Sequence, residues 1–449
     1  MTAVRTGTLK TGTLRADAAR TVADVAARLA DPQAVVARLT DPGNVRSLPE
    51  GMSPPQWHPM SLGDGYPGIA LLFAELGHDD GEHHVTAHRY LSLAAQRLDR
   101  SDPGALFVGG PALAFAAAAA VRRPGEYGKL LAALDGWVDR LVRSRLRLEH
   151  ERLAAGRAGT SFSAYDVITG VTGMGRYLLG RREAARPPLT EILEYLVALT
   201  RPLVADGVEL PGWWVHHGPS VLDPERHTRG HINFGLAHGI AGPLALLALA
   251  WQRDVRVPGH EEALYRIAEW LLEWAGHDEA GPYWPGSLVA EQFARPPNPL
   301  PGTRTAWCYG VPGIARALQL AGQAMRRPAW TAFALHATHA FLARPAASYG
   351  AADAGFCHGW SGLLHLTWRL GRDAGDTDVL TATHRMAERL LASYDPGAPF
   401  GFRATAANSA EAVDLAGFLE GAAGVALALH TFATGKEPAS GWDEAFLAA

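Results

Sequence analysis

The chain has 449 residues, of which 48% are hydrophobic and 19% are charged, and its formal net charge at pH 7 is −4. A chain of this length can bury a core without disulfide bonds, and a small negative charge with no long run of like sign excludes the basic footprint of a nucleic-acid-binding protein. Two cysteines exclude a disulfide framework, and because the first 30 residues contain no apolar signal-peptide core, we expect a cytoplasmic location.

The first part of the chain is predicted to be helical. We expect residues 1–50 to form an N-terminal helical extension and residues 51–449 to form a single domain. The longest uncharged stretch, from Gly104 to Val121, is rich in alanine and contains Gly109-Gly110-Pro111. It predicts a loop that enters a buried helix, so we expect no stable insertion into a membrane.

A glycine motif followed by an apolar run occurs seven times along the chain, with starts 44 to 71 residues apart. Six copies read Gly-x-x-Gly, and the second has Ala112 in place of the last glycine. The spacing accommodates a helix, a second helix and a return loop, which predicts helical hairpins. The motifs begin at Gly65, Gly109, Gly170, Gly239, Gly310, Gly359 and Gly421.

The helices that follow the motifs differ in pattern from those between them. Runs such as PLALLALA are apolar on nearly all sides and must be buried, whereas EEALYRIAEWLLEWA and TDVLTATHRMAERLLASY have a single apolar face. No segment alternates clearly enough to predict a sheet. We therefore predict an all-α fold, an α/α toroid of seven hairpins with the glycine motifs at the ends of the inner helices.

Both cysteines lie two residues before a motif glycine. Cys308 precedes Gly310, Cys357 precedes Gly359, and His358 follows Cys357 directly. Equivalent positions of adjacent repeats would face each other across the inner rim, and two thiolates with one imidazole are typical of a catalytic zinc site with an open fourth position. The alternatives are two buried small hydrophobic residues or a disulfide. We expect one zinc ion per chain.

Four further side chains near the same rim are candidate catalytic groups. His238 precedes Gly239 and could act as a general acid or base, while Asp166 and Arg304 would supply a carboxylate and a fixed cation. Each residue also has a structural interpretation. His238 could be a core histidine or a helix cap, and Asp166 and Arg304 could be a helix cap or a surface charge. Tyr309 could be a core aromatic residue or a proton donor.

The segment PGWWVHHGP is a further concentration of aromatic and imidazole groups. We expect Trp213, Trp214, His216 and His217 to form a mobile loop over the rim. With His231 this segment also raises the hypothesis of a second metal site.

The sequences LAHGIAG, WCYGVPG and CHGWSG resemble the signatures of the LanC-type lanthipeptide cyclases. The resemblance extends along the whole chain because the seven repeats also match that family. It implies an α/α toroid with a central zinc, acting on a ribosomal precursor peptide whose Ser and Thr residues a separate dehydratase has already dehydrated. It further implies that cysteine thiols of the peptide add to dehydroalanine or dehydrobutyrine, forming lanthionine and methyllanthionine thioether rings.

The resemblance also assigns residues. It places the zinc ligands at Cys308, Cys357 and His358, as the spacing does, and the active-site histidine at His238. It places the family's arginine, tyrosine and aspartate at Arg304, Tyr309 and Asp166. No β-rich insertion is evident, so the way in which a leader peptide is held stays open.

Two other functions stay open at this point. The protein could add an external thiol such as glutathione to a dehydrated residue, or it could be a non-catalytic scaffold that holds a precursor peptide for a dehydratase. A zinc prenyltransferase is disfavoured by the seven glycine motifs. The complete Cys308, Cys357, His358 and His238 set favours an enzyme, since a scaffold needs none of these groups.

Overall fold

A computed structural model describes residues 2–45, 56–99, 101, 103–181, 185–205, 207–217, 227–405 and 412–449. The predicted boundary between residues 50 and 51 lies outside the described residues. No helix in these ranges combines the length and the apolar composition needed to cross a bilayer.

Most of the described chain is helical. In chain order the helices are α1 (Thr2–Leu29), α2 (Pro32–Leu39), α3 (Tyr66–Leu76), α4 (Gly81–Gln96), α5 (Gly110–Ala119), α6 (Gly128–Ala154), α7 (Phe162–Tyr165), α8 (Val171–Leu179), α9 (Arg186–Leu199), α10 (Ala241–Gln252), α11 (His260–Glu273), α12 (Ala290–Ala294), α13 (Val311–Ala324), α14 (Pro328–Ala343), α15 (Trp360–Ala374), α16 (Thr377–Ala392) and α17 (Ala422–Thr434).

Eight short strands form four antiparallel pairs in the described ranges, which the sequence did not predict. Each strand is two or three residues long, too short to show a period of two. The pairs are β1 (Leu203–Ala205) with β2 (Val208–Leu210), β3 (His231–Asn233) with β6 (Ser287–Val289), β4 (Gly276–Asp278) with β5 (Gly281–Tyr283), and β7 (Ala404–Thr405) with β8 (Ala412–Val413).

A helix follows each of the seven glycine motifs, as predicted: α3, α5, α8, α10, α13, α15 and α17. These helices are almost completely buried; in α15, every residue from Trp360 to Gly371 is buried. The last glycine of a motif lies against the carbonyl oxygen six residues earlier, so that a Cβ at Gly362 would collide with the oxygen of Phe356. This close approach explains why the motif requires glycine.

The intervening helices have one buried face, also as predicted. In α11, Leu264, Ile267 and Leu271 are fully buried, while Glu262 and Glu269 are exposed. In α16 the predicted face of Val379, Thr383, Met386 and Leu390 is buried in the same way. The 3.6-residue period of each sequence therefore predicted which side packs against the core.

The described chain contains two compact units. The first comprises Met1–Asp102, Phe107–Ala132 and Gly350–Asp443. Within it, α3 packs against α4, α5 and α17, and α15 packs against α16 and α17. The outer partner of α17 is α1, whose apolar side is buried at Ala18, Val22, Val25, Ala26 and Leu29.

The second unit comprises Pro103–Leu106, Ala133–Tyr349 and Glu444–Ala449. Within it, α8 packs against α9, and α10 packs against α8, α11 and α13; α13 also packs against α14. The segment after Asp443 belongs to this unit because Trp307 donates its indole N–H to the carbonyl of Phe446 and Arg316 donates to that of Ala448, both at 2.9 Å.

Candidate metal centre

Cys308, Cys357 and His358 form a group that could hold a metal ion, with ligand atoms all within 4.8 Å of one another. It is the one such group of three or more Cys, His, Asp or Glu residues among those that the structure describes. Cys308 is buried, and the other two side chains are half-buried. Both cysteines are free of disulfides. Thiols and an imidazole are preferred zinc ligands, whose donor atoms lie about 3.7 Å apart in a tetrahedral site, so these residues fit zinc.

The backbone holds both cysteine segments in place. Before Cys308, the N–H of Thr305 donates to the carbonyl of Tyr349 at 2.8 Å, and the N–H of Ala306 donates to that of Tyr309 at 3.0 Å. The N–H of Cys357 donates to the carbonyl of Leu419 at 2.9 Å. Each thiol therefore projects from a fixed turn in front of an inner helix.

His238 is paired with Asp166, a contact between residues 72 positions apart in the chain. The Nδ1–H of His238 donates to Oδ2 of Asp166 at 2.5 Å, which leaves the Nε2 atom of the ring for another partner. Burial alone would lower the pKa of His238, but the hydrogen bond and the charge of Asp166, with a contribution from Cys308, raise it above its ordinary value. The buried hydroxyl of Tyr165 also donates to the backbone carbonyl of His238 at 3.0 Å.

The two carboxylate oxygens of Asp166 have different partners: Oδ2 accepts from His238, and Oδ1 accepts from the turn before α8. Oδ1 accepts from the N–H of Thr169 at 2.6 Å, from its hydroxyl at 3.1 Å and from the N–H of Gly170 at 2.7 Å. This oxygen therefore satisfies free donors at the start of α8, where the helix dipole also favours a carboxylate. The structural interpretation of Asp166 as a cap and its contact with His238 are thus both present.

Tyr309 is held by a residue that sequence reasoning missed. Asn233, fully buried on β3, donates from Nδ2 to the hydroxyl of Tyr309 at 3.1 Å. Its Oδ1 accepts the N–H of Gly235 at 3.0 Å, which fixes which end of the amide faces the tyrosine. A lone asparagine carries no motif, so only the fold could reveal this contact.

Arg304 is exposed and lines a cavity of about 360 Å³ in the second unit, together with Asp278, Tyr283, Gly310 and Arg344. Because Arg344 is paired with Asp278 at 2.7 Å, its charge is balanced within the cavity wall. Arg304 therefore adds a positive charge to the lining of this cavity, which also includes Gly310 at the start of α13.

The expected mobile loop at Trp213 and Trp214 was wrong. Both indoles are buried, with exposures of 2% and 4%, and Val215 forms backbone bridges to Thr160 and His231. The aromatic side chains pack inward: Trp213 lies edge-on to Trp270 with ring centroids 5.3 Å apart. Residues 213–215 are therefore part of the core of their unit, whereas His216 and His217 are exposed.

The hypothesis of a second metal site there also finds no support, since the converging group among the described residues is the one at Cys308. His216 is exposed, and its Nδ1 lies 2.9 Å from the carbonyl of Thr160. His231 is fully buried, and burial lowers its pKa to about 3, with His227 and His217 contributing. Its ring packs edge-on against Phe162, with the ring centroids 5.5 Å apart.

Asp166→Asn should lower the pKa of His238 because the amide removes the negative charge that favours the imidazolium. In the parental protein His238 should therefore stay protonated to a higher pH than in the variant. An NMR pH titration, with the His238 signal assigned from its loss in His238→Asn, measures this. Asp135→Asn, which disturbs the pairing with Arg181, is the matched control and should leave the titration unchanged. Equal His238 pKa values in the parent and Asp166→Asn would contradict the role assigned to the carboxylate.

The family described as "Lanthionine synthetase C-like protein" matches residues 56–447, and the chain belongs to this family. Among curated proteins, the "Nisin biosynthesis protein NisC" of Lactococcus lactis subsp. lactis is 25% identical over 317 residues, which are 68% of this chain and 72% of that protein. A solved structure, "Nisin cyclase", aligns with a TM-score of 0.71 and 23% identity over 87% of this chain and 92% of that chain. The resemblance noted in the motifs and the predicted α/α toroid fold are thereby confirmed.

Proposed function

We propose that the protein is a zinc-dependent lanthionine cyclase. It adds cysteine thiols of a dehydrated ribosomal precursor peptide to dehydroalanine or dehydrobutyrine residues of the same peptide, forming thioether rings. The observation that carries this proposal is the convergence of Cys308, Cys357 and His358 in a chain of the lanthionine synthetase C-like family. The relative NisC is named for nisin biosynthesis, which supports a peptide substrate.

Three residues would hold the metal ion, which would activate a substrate thiol. Zinc bound by Cys308, Cys357 and His358 would supply an open position at which a substrate thiol loses its proton at neutral pH. The two protein thiolates would offset the charge of the ion and so leave electron density on a substrate sulfur for attack on the β-carbon of the dehydrated residue.

The remaining steps fall to side chains of this chain. When sulfur bonds to the β-carbon, the electron pair of the alkene moves toward the neighbouring carbonyl and an enolate forms. Arg304 stabilises the charge on the enolate oxygen. His238 protonates the α-carbon, and Asp166 orients its ring and keeps the imidazolium accessible near neutral pH. Tyr309, whose hydroxyl is held by Asn233, is a further proton donor for the reaction.

We also propose a domain organisation and a cellular setting for this activity. Residues 51–449 would form one cyclase domain, since the family match begins at residue 56 and ends at residue 447. The substrate would arrive with its leader peptide from a separate dehydratase. A reducing compartment such as the cytoplasm would keep both ligand thiols available.

The test uses a dehydrated, cysteine-containing precursor peptide. Incubation with the metal-replete protein should remove thiols that react with an alkylating agent, while the mass of the peptide stays constant, because intramolecular addition is an isomerisation. A mass increase equal to an added thiol would instead indicate an external-thiol transferase. Thiol loss no faster than the uncatalysed reaction, with the correct precursor present, would leave the scaffold function.

A further inference from the structure

His358 has a carboxylate beside the ring nitrogen that faces away from its own backbone. Its Nε2 atom lies 3.7 Å from Oε1 of Glu420, and the two side chains are only 19% and 21% exposed. This distance is in the range of an ion pair and is longer than a hydrogen bond. The Nε2 side of the ring is therefore next to Glu420, and Nδ1 would be the nitrogen that binds a metal.

The backbone fixes the segment that carries Glu420 against the segment that carries the ligands. The carbonyl of Leu419 accepts the N–H groups of both Phe356 and Cys357, each at 2.9 Å. A Cβ at Gly355 would lie 3.1 Å from the Cα of Glu420, so the two segments of the backbone are in close contact at this point. The position of Glu420 relative to His358 is therefore set by main-chain contacts.

Asp353, in the turn that carries Cys357 and His358, is a second carboxylate near these ligands, and it forms hydrogen bonds within that turn. Oδ1 of Asp353 accepts a hydrogen bond from the N–H of Gly355 at 2.9 Å, and the carbonyl of Asp353 accepts one from the N–H of Trp360 at 3.0 Å. Asp353 thus shapes the turn in front of α15. Glu420 lies at ion-pair distance from the imidazole of His358.

We propose that Glu420 is a positioning residue of the metal centre: its carboxylate accepts the Nε2–H of His358 and so fixes the tautomer and the direction of Nδ1. Metal-bound histidines commonly donate their second N–H to such a carboxylate, which orients the ring and increases its basicity. The inference rests on the proposed zinc site, and it assigns a role to a residue that lies outside the ligand set.

The experiment measures zinc affinity, which does not depend on knowing the peptide substrate. The full-length protein is titrated with zinc in competition with a chromophoric chelator at pH 7. Glu420→Gln keeps the shape of the side chain and removes its charge, and it should raise the dissociation constant for zinc by about 10- to 100-fold. Glu420→Asp keeps the carboxylate on a shorter side chain and should give an intermediate value.

Glu75→Gln is the matched control. Glu75 is a buried glutamate of the same unit that accepts the N–H groups of Ala439 and Ser440 at 3.0 and 2.8 Å. It lies at the end of α3 opposite the glycine motif, so its replacement should lower the free energy of unfolding and leave the zinc affinity unchanged. Denaturant unfolding of every variant separates loss of folding from loss of affinity.

Cobalt(II) substitution shows how Glu420 acts. If it positions His358, saturated Glu420→Gln should keep the thiolate-to-cobalt absorption of the parent and only require more cobalt. A changed spectrum at saturation would mean that Glu420 is itself a ligand, which contradicts the inference. A zinc affinity for Glu420→Gln within twofold of the parent would overturn it as well, whereas a parental protein that binds no zinc would refute the zinc site on which both proposals rest.

Discussion

Replacing Cys308 and Cys357 together by alanine is expected to reduce bound zinc from about one ion per chain to less than about 0.1, because His358 alone is a weak, monodentate site. Cyclisation of a dehydrated peptide should fall to the uncatalysed rate. The helices should remain folded, since a chain of this size buries enough apolar surface without the ion. Metal analysis of protein expressed in zinc-replete medium, combined with circular dichroism, measures both effects.

The control for this double variant is Ser361→Ala. Ser361 is fully buried at the start of α15, four residues after Cys357, and its replacement removes one side-chain oxygen close to that ligand in the sequence. This variant should keep its zinc. Full zinc retention by the double cysteine variant, or clearly substoichiometric zinc in the parental protein, would contradict the assignment of the ligands.

His238→Asn is expected to keep zinc and lose turnover by about 10² to 10⁴-fold, the usual contribution of a general acid or base. Asparagine is of similar size and can still hydrogen-bond to Asp166, but it carries no proton that can be transferred near neutral pH. The initial rate of mass-neutral thiol loss, measured with saturating peptide, gives the effect on kcat.

A second buried histidine provides the comparison. The Nε2 atom of His260 on α11 lies 3.0 Å from the carbonyl of Leu247, and the side chain is 1% exposed. His260→Asn should therefore lower the free energy of unfolding without reducing kcat. Cyclisation by His238→Asn at the parental rate would remove His238 from the mechanism and return it to the role of a core histidine.

The helical fold was predictable because its signals are local and repeated. Each glycine motif marks a turn in which a carbonyl oxygen takes the place of a side chain, as Gly362 shows, and each amphipathic helix displays its buried face in its own sequence. The group of Cys308, Cys357 and His358 was predictable for a related reason. The two cysteines occupy equivalent positions in adjacent repeats, and this equivalence indicated that they lie close together.

Contacts that depend on tertiary packing were not predictable. The pairing of Asp166 with His238, the support of Tyr309 by Asn233 and the approach of Glu420 to His358 join common residue types at separations that no motif records. The two tryptophans at 213 and 214 were misjudged because their sequence surroundings are typical of a loop. Their burial depends on Trp270 and Phe293, which come much later in the chain.

The pairing of α1 with α17 has a consequence for synthesis on the ribosome. About 390 residues separate the end of one helix from the start of the other. At roughly 5–20 residues per second, α1 leaves the ribosome some 20 to 80 s before its partner exists. During that time the apolar side of α1, which includes Val22, Val25 and Leu29, lacks its native contacts with α17. The first unit is therefore completed only late in translation, and the nascent chain must be kept from aggregating through that exposed helix until α17 has emerged.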